Sequence, residues 1–178
     1  MNRSKNTAIA RKTMSKPCKY LVDGGELKGS ILDYGCGRGV DVKELNKLGY
    51  KVTGYDPHHG PKTMPRNKFS HVLMTYVVNV IENVYERDRA IAHAFSKVKK
   101  GGWLYITVRS PLDVTTGAIK GRWKPWAGGF YTTSGTFQRA YSLKQLEALA
   151  RKLHLDSGLW CTNGSSKIGG NMLMIRKG

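Results

Sequence analysis

Apolar and polar positions along the chain change period several times, and each change marks an element. Ser30-Ile-Leu-Asp-Tyr34 is a short apolar run of strand type that leads straight into Gly35-Cys-Gly-Arg-Gly39. Val40, Val42, Leu45 and Leu48 then recur at near-helical spacing, with Gly49 placed to end the helix. A second strand is expected over Tyr50–Asp56, stopped by Pro57, and a third near His71–Met74. Ile91, Ala94, Phe95 and Val98 share one face of a helix over 84–98, which Lys99-Lys-Gly-Gly102 would close, before a strand over Trp103–Val108. Residues 110–140 show no sustained period and read as loop. Ser142-Leu-Lys-Gln145 has the pattern of a capping box and predicts a helix to Leu153, followed by strands over Leu159–Cys161 and Asn171–Ile175.

Upstream, residues 5–15 predict a short helix ending before Pro17, and Pro17–Val22 a second one closed by Gly24 and Gly25. Strands alternating with helices and then a final hairpin predict one α/β domain over 1–178. Its sheet is parallel except for the last strand, and residues 1–29 form a basic helical extension. No internal repeat is visible.

Charge adds a partner to this picture. The 178 residues carry 30 Lys plus Arg against 12 Asp plus Glu, a formal +18. That surplus favours a polyanion, with nucleic acid first, because every phosphate neutralised releases counterion. The alternative is a merely solubilising surface. Cys18, Cys36 and Cys161 lack the C-x-x-C spacing of a zinc or redox site and fit a reducing cytoplasm. No apolar run is long enough for a signal peptide or membrane span, and no metal site is expected.

The candidate chemistry lies in Asp33-Tyr-Gly35-Cys-Gly37-Arg-Gly39 together with Asp56. Glycines let the backbone turn tightly and approach a ligand, the following helix offers free N–H groups, and an acid at the tip of the second strand can accept ribose hydroxyls. A dinucleotide fingerprint would need glycine at the sixth position from Gly35, where Val40 stands. The D-x-G-x-G-x-G pattern resembles the S-adenosylmethionine site of Rossmann-like methyltransferases. The alternative is a structural turn with a surface aspartate.

The likeness extends through Arg11-Lys-Thr-Met-Ser-Lys-Pro17, Tyr55-Asp-Pro-His58, Tyr76-Val-Val-Asn-Val-Ile-Glu82 and Gly135-Thr-Phe-Gln-Arg-Ala-Tyr141, which resemble the small bacterial and phage methyltransferases associated with DNA phosphorothioation. By that resemblance Asp33 and the backbone of Gly35, Cys36, Gly37 and Gly39 contact the amino-acid end of the cofactor, and Asp56 its ribose. Pro57, His58, Thr75 and Tyr76 complete the expected cofactor site, with His59 and Val77 beside them around the adenine. The resemblance implies a DNA acceptor, ahead of RNA.

Two departures matter. Between Asp56 and the strand near His71 lie about a dozen residues, Pro61 and Pro65 among them, too few for the usual further strand and its crossover. A six-stranded sheet lacking the usual third strand is therefore expected. After the His71 strand, Thr75-Tyr-Val-Val-Asn79 replaces the Pro-Pro-aromatic motif of DNA amino-methyltransferases, and no cysteine is placed to attack a cytosine ring. What remains is transfer driven by proximity, with Asn79, Arg109 and Tyr141 as candidate orienting groups. Each also has a structural reading: a cap, an ion pair and packing.

From Val114 to Leu146 there is no acid. Lys120, Arg122 and Arg139 alternate there with Trp123, Trp126, Tyr131 and Phe137, which suits a substrate loop over 110–141 that stacks on bases and holds phosphates. Anchoring of the loop by Trp123 and Trp126 is the structural alternative. A small-molecule or nucleotide methyltransferase, and a non-catalytic cofactor-binding protein that contacts nucleic acid, remain the competing functions. Oligomeric state is not legible.

Overall fold

A computed structural model describes residues 7–8, 11–155, 158–162 and 167–178. In chain order the elements are α1 (Lys16–Asp23), β1 (Ser30–Tyr34), α2 (Val40–Lys47), β2 (Lys51–Tyr55), β3 (Phe69–Thr75), α3 (Val84–Ser96), β4 (Val98–Val108), α4 (Pro111–Gly121), β5 (Lys124–Trp126), β6 (Gly129–Tyr131), β7 (Phe137–Gln138), α5 (Leu143–Lys152), β8 (Leu159–Thr162) and β9 (Asn171–Arg176).

The main sheet has six strands in the order β2-β1-β3-β4-β9-β8. β2, β1, β3 and β4 run parallel, and β9 lies antiparallel between β4 and β8. Residues 56–68 connect β2 to β3 without a strand, so the strand missing by length is absent from the sheet.

Alternate residues of each central strand enter different cores, the period of two expected of a sheet covered on both faces. Leu32, Val72, Met74, Leu104, Ile106, Leu173 and Ile175 pack with Ile91 and Ala94 of α3 and Leu146 and Ala150 of α5. Ile31, Leu73, Tyr105 and Met172 pack with Cys18 and Leu21 of α1 and Leu45 of α2. The chain is thus a three-layer α/β fold whose parallel strands all point their carboxyl ends to one edge.

Three expectations are corrected. The helix over 84–98 ends at Ser96, capped at Lys97, and Val98 begins β4, which runs through Lys99–Gly102 with an irregularity opposite Phe69 to His71. The helix over 5–15 falls partly outside the described residues, and 11–15 carry none, because Ser15 and Arg11 are drawn onto Asp41. The largest correction is at 110–141, which is α4 plus a separate three-stranded antiparallel sheet, β5-β6-β7.

Ser110 caps α4 in a reciprocal box with Asp113, and Pro111 occupies its first turn. The residue that caps its C-terminus, Arg122, is left-handed, at φ 51°. The two-residue link between β5 and β6, Ala127 and Gly128, has φ of 45° and 72°, the positive pair a tight hairpin turn requires. Pro125 is tolerated because β5 is an edge strand.

Candidate active site

The turn after β1 is built by three left-handed glycines, Gly35, Gly37 and Gly39, at φ of 81°, 54° and 73°. A Cβ on Gly35 would collide with Cγ2 of Val77, so both the conformation and the close approach demand glycine there. Gly39 stands at the start of α2 and supplies no side-chain cap, which leaves the first N–H groups of that helix open to a ligand.

At the tip of β2, Asp56 is 9% exposed and faces this turn. Its Oδ2 accepts from Gly37 N–H at 2.9 Å, and Oδ1 accepts from the N–H groups of His58 and His59 at 2.8 and 2.9 Å. Three of roughly four lone-pair sites are used, and Oδ2 keeps one for a further donor. Beneath the turn, Asp33 is buried among Asp41 and Asp56; burial, then Asp41, pushes its carboxyl up to about 8 despite the opposing pull of Arg11. Burial, then Asp33 and Asp56, push the Cys36 thiol up to about 12, which makes it a packing group rather than a nucleophile.

These residues wall a cleft of about 280 Å³ at the carboxyl edge of the sheet. Of the expected cofactor residues, Gly35, Cys36, Gly37, Asp56, Pro57, His58, Thr75 and Tyr76 line it, as does His59. Asp33 and Gly39, also expected there, are not among its lining residues. The far wall comes from Val77, Val80, Ile81, Glu86 and Ala90, and the near wall from Thr7, Ala8 and Arg11. Of these walls, sequence reading anticipated only Val77. Tyr76 is a special case: φ is 59°, its N–H bonds Thr107 O at 2.8 Å, and its hydroxyl donates to Gly169 O at 2.7 Å. A left-handed non-glycine residue in a cleft is strain held by its surroundings.

Asn79, Arg109 and Tyr141 are brought near one another but do not line the cleft. Asn79 is 1% exposed, its Nδ2 donates to Gln138 Oε1 at 3.0 Å, and its carbonyl accepts from Arg139 N–H at 2.8 Å. The carbonyl of Arg109 accepts from Tyr141 N–H at 3.2 Å. Tyr141 is buried, with the guanidinium carbons of Arg87 and Arg139 at 5.8 and 5.3 Å from its ring centre. Together they fasten the turn after β3 to the small sheet and to β4.

The expected acceptor residues divide. Trp123 packs on α4, where a Cβ on Gly117 would lie 2.9 Å from its ring and one on Gly121 would collide with it. Phe137 is buried under Gly129, and Arg139 lies against Tyr141. Trp126, by contrast, is 56% exposed; its Nε1–H donates to Glu82 Oε1 at 2.7 Å while the Tyr131 hydroxyl donates to Glu82 Oε2. Glu82 follows the cleft residue Ile81, so this pair holds the small sheet against the cleft rim. Lys120, Arg122 and Lys124 are exposed beside it.

Among the described residues no cluster of three metal-ligating side chains occurs, and no helix is long and apolar enough to cross a membrane.

A family model described as a methyltransferase domain matches residues 7–156. Among solved structures, the chain is similar to the 1,6-didemethyltoxoflavin N1-methyltransferase of Burkholderia thailandensis, crystallised with 1,6-didemethyltoxoflavin and S-adenosylhomocysteine. The identity is 15%, over 99% of this chain and 79% of that one, with a TM-score of 0.62. It is also similar to the magnesium protoporphyrin IX methyltransferase of Synechocystis with bound S-adenosylhomocysteine, at 18% identity over 90% and 80% of the two chains and a TM-score of 0.57. A third is the S-adenosylmethionine-bound amino pentose methyltransferase of Micromonospora echinaspora, at 12% identity, 90% and 88% coverage and a TM-score of 0.57. At these identities the likeness is one of fold. No curated protein matches the chain.

Proposed function

The chain belongs to the methyltransferase-domain family, and on that premise we propose that it transfers the methyl group of S-adenosylmethionine to a nucleic-acid acceptor, DNA ahead of RNA. S-adenosylmethionine supplies an electrophilic methyl group on a sulfonium. Residues of the cleft fit it: Asp56 keeps an accepting position on Oδ2 for a ribose hydroxyl, and the left-handed glycines leave room for the methionine part along the start of α2. His58, His59, Thr75 and Val77 surround the place left for the adenine, which the absent third strand no longer covers.

The sulfonium already activates the methyl group, so the protein's contribution is orientation. Tyr76, strained and pinned to Gly169, shapes the edge where an acceptor would meet the methyl. Asn79, Arg109 and Tyr141 act one layer further out, as positioning residues that set the small sheet against that edge.

The observation that carries a nucleic-acid acceptor is the β5–β7 sheet, with exposed Trp126 locked on Glu82 and exposed cations on an acid-free stretch beside it. Base stacking and phosphate contact need that combination. The resemblance to phosphorothioation-associated methyltransferases points the same way. A small-molecule acceptor is the second reading, favoured by the named substrates of the toxoflavin and porphyrin enzymes.

Equilibrium binding of short DNA duplexes and single strands decides between them. Neutralising three phosphates predicts about a 40-fold loss of affinity between about 50 and 200 mM salt. Undetectable or salt-independent binding would favour the small acceptor.

A further inference from the structure

The segment Arg11-Lys-Thr-Met-Ser-Lys-Pro17 has no part in the chemistry above, yet it is tied to the helix that follows the glycine turn. Asp41, buried in the first turn of α2, accepts from Ser15 N–H and Ser15 Oγ–H, both at 2.7 Å, and from Arg11 Nη2 at 3.0 Å. Ser15 also caps α1. These bonds run the chain along the cleft, where Ala8 Cβ lies 3.4 Å from the position a side chain on Gly37 would take.

Arg11 is only partly used by this pairing. A guanidinium carries five donors, and Asp41 takes one edge of the fork. Its Nε is buried with no hydrogen-bond partner, while the side chain remains 31% exposed and lines the cleft. Asp41 is met also by the two Ser15 donors, so the guanidinium keeps further N–H donors at the cleft, beside the start of α2 that no side chain caps. A second carboxylate is the ligand that such a fork takes most strongly. The partial positive charge at that open helix start adds to the pull of the guanidinium on a carboxylate.

We propose that Arg11 takes up the α-carboxylate of the cofactor's methionine part, which makes the N-terminal segment a wall of the cofactor site; this rests on the S-adenosylmethionine reading above.

Calorimetric titration of the full chain with S-adenosylhomocysteine and with its decarboxylated analogue tests it. Wild type is expected to bind the analogue more weakly. Arg11→Met should weaken S-adenosylhomocysteine roughly 10- to 100-fold and leave the analogue within about twofold, the worth of one charge-assisted pair. Arg11→Lys, which keeps the charge without the fork, should lose an intermediate amount on the same ligand alone, and serves if the first variant does not fold. Equal losses for both ligands, or no loss for S-adenosylhomocysteine, would overturn the assignment while leaving the cofactor reading intact. Wild type binding neither ligand would remove the cofactor reading itself.

Discussion

On the cofactor side of the cleft, backbone does the holding: three left-handed glycines, a turn whose N–H groups reach Asp56, and a buried acid beneath. On the acceptor side, side chains do it. Strands of two or three residues are fastened by Asn79 to Gln138, by Trp126 and Tyr131 to Glu82, and by Arg139 against Tyr141. A backbone-built site tolerates little change, since most substitutions strain the turn or fill the space a ligand needs. A side-chain-built face can be rebuilt one residue at a time, so one cofactor site can serve many acceptors.

The contrast predicts that the two sides separate under mutation. Asp56→Ala, which removes the acceptor for three backbone N–H groups and the proposed ribose contact, is expected to weaken S-adenosylmethionine about 100-fold or more by calorimetry. Its DNA affinity should stay within about twofold of wild type. Trp126→Ala should do the reverse, costing DNA about 10-fold and the cofactor nothing measurable. Parallel losses in both assays for either variant would mean that the two sides form one unit.

The smallest effect concerns pH. Asp33 has its carboxyl raised from 3.8 to about 8, so the folded chain holds that proton more tightly than the unfolded chain. Its stabilising contribution is present below about pH 4 and is lost as pH rises toward about 8. The melting temperature of ligand-free protein should therefore fall more over that window than that of Asp33→Asn, in which a neutral amide replaces the protonated acid. Identical profiles would show that Asp33 is already ionised.

What could be read in the sequence follows the same division. Gly35, Gly37, Asp56 and the short stretch holding Pro61 and Pro65 carry local signatures, and local signatures were enough for the turn, the acid and the six-stranded sheet. The start of α4 was also written locally, in Ser110, Pro111 and Asp113, but Thr115, Thr116, Gly117 and Gly121 argued against helix. The two glycines are there for the ring of Trp123, a tertiary reason that periodicity does not carry. The hairpin was hidden by Ala127, an unusual residue at positive φ. Arg11 gave no local sign either, since its partner Asp41 lies 30 positions away.

Incubation with methyl-labelled S-adenosylmethionine and separate DNA, RNA, protein and metabolite pools tests the proposed transfer most directly. Label is predicted in DNA, in smaller amount in RNA, and lost with Asp56→Ala. Label confined to the metabolite or protein pool, or label nowhere although the cofactor binds, would contradict it.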